Sequence, residues 1–306
     1  MSLLSPPRLI ASGHTLNPSQ TAFGELRDSS GIADDAAALR ARYAEDGYLY
    51  LPGYLDRESV LEARRDVCTR LAADGLLDAA HDPVEGILSA DASVKFRPDI
   101  ATGNPVVEAL LYGPRLLGFY ERLLGGPVRH FDFTWFRAVS PGHGAPPHCD
   151  AVYMNRGTFN LYTAWVPFGD VTRELGGLMI LEESHRKADR LRKYLESDVD
   201  SYCENKPRHL ERVAANKAVR RGQLSYNPVS LRERLGGRWL TADFRAGDLL
   251  TFGMATVHAS LDNQTDNLIR LSSDSRYQLA AEPADERWVG PNPVGHSRAG
   301  KRGRIC

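Results

Sequence analysis

Val128-Arg-His-Phe-Asp-Phe-Thr-Trp-Phe-Arg-Ala-Val139-Ser-Pro141-Gly-His-Gly-Ala-Pro-Pro-His148-Cys149-Asp150-Ala-Val-Tyr153 runs from an aromatic-rich segment into a glycine- and proline-rich loop. Aromatic and β-branched residues suit a pleated, half-buried surface, so the first half reads as a strand. Gly and Pro punctuate the second half as a loop. On an extended chain, residues two apart point to the same side, so His148 and Asp150 can reach one metal ion. One distant histidine would complete two His and one carboxylate on a single face of the metal, with open positions left over.

The spacing alone is weak. Nine histidines and 39 acids in 306 residues give about one His-x-Asp/Glu by chance. Three occur: His130-Phe131-Asp132, His148-Cys149-Asp150 and His209-Leu210-Glu211.

The same strand texture continues on either side. Phe159-Asn-Leu-Tyr-Thr-Ala-Trp-Val-Pro-Phe168, Leu178-Met-Ile-Leu181, Trp239 to Phe244, Leu249 to Phe252 and Ile269 to Tyr277 all read as strands bounded by Gly or Pro. Many short strands with few helices between them predict a mainly β fold, closed or double-sheeted. The helices lie earlier. Asp34-Asp35 can cap a helix to about Glu45, Asp56 opens a second toward Gly75, and Pro105 to Leu124 reads as a third. Gly47-Tyr-Leu-Tyr-Leu-Pro-Gly53 reads as a short strand between the first two.

The chain therefore divides, as one domain over residues 1–306, into an extended arm (1–32), mainly helical support (33–124), a β core (125–280) and a tail (281–306). The core is interrupted by an insertion, 186–240. Its polar part, 186–222, holds eleven Lys/Arg against six Asp/Glu. Such a stretch is either a solvated insertion or a lid that attracts an anionic substrate. The basic tail from Arg298 to Cys306 reads as mobile.

Composition sets bounds on partners. A net charge of -1 gives no argument for nucleic acid or an acidic membrane surface. No apolar run is long enough to span a bilayer, and no secretory signal is evident. Cys68, Cys149, Cys203 and Cys306 are scattered without a CxxC pair. A disulfide framework is thus not expected, and a reducing cytoplasm suits the sequence. Cys149 points away from its neighbours on an extended chain, so it packs rather than ligates.

Context chooses among the three pairs. His209 and Glu211 fall in a helical-looking polar stretch, where residues two apart diverge. His130 and Asp132 share a strand face but have no loop beside them to give access. His148 and Asp150 sit where a strand emerges from a Gly/Pro loop. A distal partner is available at His258, after the apolar run Leu249 to Val257.

Arg270 follows on the next strand. Fe(II) oxygenases with such a triad use 2-oxoglutarate, whose far carboxylate needs a fixed cation. A guanidinium offers two parallel charge-assisted hydrogen bonds to it. Ser260 can add a hydroxyl; Arg276 is a rival to Arg270.

His148-x-Asp150, Trp165-Val-Pro-Phe-x-Asp170, Gly177-Leu-Met-Ile-Leu-Glu-Glu-Ser184-His185-Arg186 and His258-x-Ser260…Asn263-x-Thr265…Arg270 together resemble the phytanoyl-CoA dioxygenase family of Fe(II)/2-oxoglutarate oxygenases. So does Asp46-Gly-Tyr-Leu-Tyr-Leu-Pro-Gly-Tyr-Leu55. The resemblance spans most of residues 36 to 280. It implies a double-stranded β-helix (jelly-roll, cupin-like) with flanking helices. It makes His148, Asp150 and His258 the iron ligands and catalytic centre, and Arg270 and Ser260 the carboxylate clamp. Trp165 would lie against the cosubstrate. Two departures stand out: the His258-to-Arg270 spacing is one residue longer than usual, and Glu182-Glu183-Ser184 replaces the more common Pro-Gly-Ser. The implied reaction is hydroxylation of a small molecule by O2, with 2-oxoglutarate converted to succinate and CO2. An acidic residue at position 150 argues against a halogenase. A cupin-like metal isomerase or epimerase and a non-catalytic binding protein on the same fold are the alternatives. Family resemblance transfers the reaction centre and not the substrate pocket.

Overall fold

The computed structural model describes residues 8–306. Two antiparallel-dominated sheets face each other. The larger orders Tyr48–Leu51, Leu249–Gly253, Leu161–Pro167, Arg270–Leu279 and Val128–His130, with Trp135–Val139 also paired to Arg270–Leu279. The smaller orders His258–Ser260, Leu178–Leu181, Trp239–Thr241 and Phe23–Glu25. This is the double-stranded β-helix that the family resemblance implies, and the strand texture points to a closed or double-sheeted β fold.

Side-chain alternation assigns each face. Tyr48, Tyr50, Trp165, Leu250 and Phe252 turn inward from the larger sheet to meet Leu178, Ile180 and Leu240 from the smaller one. Leu49, Leu51, Ala164, Val166, Leu271 and Tyr277 face out, against a helical layer carrying Val60, Val67, Leu71, Leu116, Phe119 and Tyr120. That layer follows the expected capping chemistry. The Asp35 side chain accepts from the backbone N–H groups of Ala37 and Ala38 at the start of helix Ala36–Asp46, and Asp56 accepts from Ser59 N at the start of Arg57–Ala73. Gly47, at φ 77°, ends the first of these helices and turns the chain into Tyr48–Leu51.

Several expectations need correction. The segment 128–139 is two strands, because the chain leaves the ladder between His130 and Trp135. There Asp132 N bonds Trp288 O instead of a strand neighbour. The helix over 105–124 is broken into Pro105–Leu111 and Pro114–Leu124; Pro114 cannot continue a helix and serves as the first residue of the next. Leu249–Gly253 and His258–Ser260 are not one strand. The chain crosses from the larger sheet to the smaller between them, which brings His258 onto the sheet facing the first ligand pair.

The two ends are more structured than expected. Residues 1–7 of the arm lie outside the described residues; the rest includes Phe23–Glu25, which adds in parallel to Trp239–Thr241. The tail is not free. Arg302–Arg304 pairs in parallel with Ser201–Cys203, and Cys306 is disulfide-bonded to Cys203, 103 residues away. This overturns the expectation of unpaired cysteines. Cys149 packs as expected: it is fully buried, with its Sγ against Ala255 O. Among the described residues, no helix is long and apolar enough to cross a membrane.

Candidate active site

The structure brings His148, Asp150 and His258 together, each offering a ligand atom within 4.8 Å of the others. All three are buried. The backbone sets this convergence: His148 N donates to His258 O and His258 N to His148 O, both at 2.9 Å. After His148, the loop turns at Asp150–Val152, which returns the Asp150 carboxylate toward His258. Asp150 Oδ1 lies 3.7 Å from His258 Nε2.

Each imidazole is oriented by a carbonyl. His148 Nδ1 lies 2.8 Å from Pro146 O, and His258 Nδ1 lies 3.0 Å from Thr256 O. A carbonyl only accepts, so both Nδ1 atoms carry the proton and both Nε2 lone pairs are free for a metal. Burial keeps both rings neutral. It pushes His148 down to about 3, with repulsion from His258 adding to it, and lowers His258 in the same direction. Burial would raise the Asp150 carboxyl, but Arg276, the two histidines and Thr163 outweigh it and hold the group below the usual carboxylate range.

The other two His-x-acid pairs lie elsewhere. His130 stacks on Tyr112 with ring centroids 3.9 Å apart. His209 lies on helix Pro207–Ala214 and accepts from Cys203 N.

Three arginines turn into the barrel from the larger sheet, and their partners differ. Arg137 pairs with Asp274 at 2.6 Å, and Arg276 with Asp150 at 3.0 Å. Arg270 is 2% exposed and donates to Gly176 O at 2.9 Å. It has no carboxylate partner among the described residues, and its Nε has no hydrogen-bond partner. Burial, with Arg137 nearby, lowers its pKa from 12.5 to about 10. Ser260 Oγ, on the strand of His258, accepts from Ala145 N at 2.8 Å.

Trp165 is fully buried against Phe244, ring centroids 4.6 Å apart, and its Nε1 has no partner among the described residues. Ser272 Oγ is likewise unpartnered. Ser272 lies two residues from Arg270 on one strand face, and Trp165 is directly opposite Asp274 on the neighbouring strand. Buried polar groups rarely go unpaired. These donors on one interior face fit a polar, anionic ligand beside the triad.

A cavity of about 240 Å³ reaches His148 and Asp150. Its walls include Lys95, Phe96, Trp135, Arg137, Arg276 and His296. The sequence reading missed Lys95, Phe96 and His296 in this role, and it missed Thr163, whose hydroxyl donates to Asp150 Oδ2 at 2.5 Å. Cross-strand register places Thr163 and Arg276, and no local signal in the sequence carries that register. His296 comes from the tail, where its Nδ1 lies 2.8 Å from Asp200.

The insertion packs on the loop that carries His148 and Asp150. Tyr194 OH accepts from Cys149 N, Leu224 N donates to Pro147 O, and Val199 N donates to Val152 O. The buried Arg287 ties insertion to tail, pairing with Asp200 and Asp285 at 2.5 Å each.

A β-helix whose facing sheets converge two histidines and one aspartate, with a buried arginine on the next strand that has no carboxylate partner among the described residues, defines a class: the Fe(II)/2-oxoglutarate oxygenases. The sequence model for the phytanoyl-CoA dioxygenase family matches residues 43–272, and the chain belongs to that family. It is an Fe(II)- and 2-oxoglutarate-dependent enzyme of the hydroxylase type. It is 28% identical over 284 residues to the 1-deoxypentalenic acid 11-beta-hydroxylase of Streptomyces exfoliatus, covering 90% of this chain and 92% of the relative. Two solved structures share the fold. The alpha-ketoglutarate-dependent carbocyclase SnoK from nogalamycin biosynthesis gives a TM-score of 0.59 at 19% identity, over 89% of this chain and 93% of its own. The epimerase SnoN, in complex with Fe3+, alpha ketoglutarate and nogalamycin RO, gives 0.53 at 24%, over 86% and 90%.

Proposed function

We propose that His148 and His258, through Nε2, and Asp150, through Oδ1, hold Fe(II), and that the chain hydroxylates a small carboxylate-bearing molecule. Iron with 2-oxoglutarate supplies the oxidising power, using O2 and releasing succinate and CO2. The protein's task is to fix geometry and keep the cavity closed. Arg270 receives the C5-carboxylate of 2-oxoglutarate, with Ser260 beside it and the Trp165 indole N–H facing the same interior.

One observation carries this reading. A buried guanidinium without a counter-charge costs several kcal/mol. Of the three barrel arginines, Arg270 is the one left without a carboxylate, so a ligand carboxylate offsets that cost. Arg276 is already committed to Asp150.

The substrate class rests on the cavity and its surroundings. Lys95 on the cavity wall has no acidic partner among the described residues. The adjoining insertion carries surplus positive charge. The Streptomyces relative is named for a carboxylic acid. The insertion and tail then act as a cap over the mouth, with substrate entering past Lys95 and Phe96. A cytoplasmic site of action matches the supply of 2-oxoglutarate, with the Cys203–Cys306 bond as an exception to the usual rule for that compartment.

The test is turnover of 2-oxoglutarate against a panel of apolar monocarboxylates and their methyl esters. The acids should stimulate succinate release and the esters should not. Equal stimulation by both, or by neutral compounds alone, contradicts the substrate class.

A further inference from the structure

We infer that Arg276 and Thr163 form a positioning pair that restricts Asp150 to one donor oxygen, and so keeps three coordination positions of the metal open. This rests on the proposal above that His148, Asp150 and His258 are the ligands.

The geometry is asymmetric. Arg276 and Thr163 stand directly opposite one another on strands Arg270–Leu279 and Leu161–Pro167. Arg276 Nη2 lies 3.0 Å, and Thr163 Oγ1 2.5 Å, from the same carboxylate oxygen, Oδ2. Oδ1 takes neither bond and is the oxygen turned toward His258. An ion pair and a charge-assisted hydrogen bond, both on one oxygen, fix the carboxylate's rotation.

The arginine is itself held firmly. It is 2% exposed, and its guanidinium carbon sits 4.6 Å over the Trp135 ring. Asp150 is its only carboxylate partner among the described residues. Each partner therefore has a strong reason to stay: separation leaves a buried charge uncompensated.

The consequence is chemical. A carboxylate binds a metal through one oxygen or both. Two imidazoles and one oxygen leave three places on an octahedral ion. A chelating cosubstrate fills two and leaves one for O2. A bidentate Asp150 would occupy one of the three and compete with that chelation. Arg276 also cancels the Asp150 charge, so the centre presents the full charge of the ion to a dianionic cosubstrate.

Cobalt(II) is a suitable probe, because its visible absorption reports coordination number and geometry. Wild type, Arg276→Met, Arg276→Lys and Thr163→Val would be titrated anaerobically with Co(II), then with 2-oxoglutarate. Arg276→Met should bind Co(II) with a spectrum altered before any 2-oxoglutarate is added, and its 2-oxoglutarate Kd should rise about tenfold or more. Arg276→Lys should recover part of the wild-type spectrum, since an ammonium can donate to the same oxygen. Thr163→Val should change in the same direction by less; it also serves if Arg276→Met does not fold. A wild-type spectrum and wild-type Kd in both Arg276→Met and Thr163→Val, or in Thr163→Val alone when Arg276→Met does not fold, would overturn the inference. So would a weakened Kd with an unchanged Co(II) spectrum, which would make Arg276 a direct contact of the cosubstrate. If wild type binds Co(II) no better than His148→Ala, the ligand assignment itself fails, and this inference with it.

Discussion

His148 and His258 exchange both of their backbone hydrogen bonds, each 2.9 Å long, as an isolated antiparallel bridge between a loop and the smaller sheet. Residues 110 positions apart in sequence are thereby registered before any metal binds. The backbone thus sets the approach of the two imidazoles.

It follows that His148→Ala or His258→Ala removes stoichiometric Fe(II) binding while the fold survives. Each change deletes one ligand and leaves the bridge, which uses main-chain atoms alone. Equilibrium dialysis with circular dichroism checks both halves. His130→Ala serves as the control and should keep its metal, because its ring stacks on Tyr112 away from the triad. Metal loss in His130→Ala but not His148→Ala would mean the wrong pair has been assigned.

Arg270→Ala should weaken 2-oxoglutarate binding with little effect on iron. Charge-assisted hydrogen bonds contribute roughly 1.5–3 kcal/mol each. Affinity should therefore fall at least about tenfold, the factor that 1.4 kcal/mol represents. Calorimetry with the Fe(II)-loaded, oxygen-free protein reads this directly. The Arg276 variants should differ by also changing the metal's spectrum, as argued above.

Stability of the metal-free protein should decline in acid. His148 has a folded pKa of about 3 against an ordinary value of 6.5, and His258 shifts the same way. Between these values the unfolded chain binds protons that the native state refuses, so stability rises with pH. The contribution is fully present above 6.5 and is lost as pH falls from there toward about 3. Asp150, held low, adds its own loss only in stronger acid. Thermal melts from pH 7.5 to 4.5 should show Tm falling, with a shallower slope in His148→Gln. A Tm independent of pH over that range in the metal-free wild type would show that the rings are not buried as neutral groups.

Turnover of a carboxylate-bearing substrate should slow with rising salt, through kcat/KM more than kcat. The insertion packs on the triad loop and carries surplus positive charge, and added ions screen steering beyond about 8–10 Å. Kinetics insensitive to salt would remove the insertion from substrate capture and leave it a structural cover.

The legible part of this molecule was local. The convergence of His148, Asp150 and His258 is readable because metal chemistry restricts residue type, and strand geometry restricts spacing. Asp35 and Asp56 are readable as caps because capping acts within three residues. What was not legible depends on register between distant segments. Thr163 meets Arg276 only because two strands pair in one alignment, and a slip of either strand by one residue would turn its side chain to the helical face. The sheet change between Gly253 and His258 leaves no compositional mark. Cys203 and Cys306 could not be matched from spacing, since connectivity is set by the folded chain. The parallel addition of Phe23–Glu25 is equally non-local. Glu183 is an instructive middle case. Its left-handed φ of 55° explains why glycine is the usual residue in that turn, yet the sequence alone gave no reason to expect it there.

The most direct test of the central claim is succinate formation from 2-oxoglutarate by the purified protein with Fe(II) and O2. The measurement is run on wild type, Asp150→Ala and His258→Ala in parallel, with the carboxylate panel present. Wild type should release succinate and CO2 in equal amounts, dependent on added Fe(II), and both variants should release neither above background. Succinate release that persists in Asp150→Ala and His258→Ala, or metal-loaded wild type that leaves 2-oxoglutarate unchanged, would contradict the account.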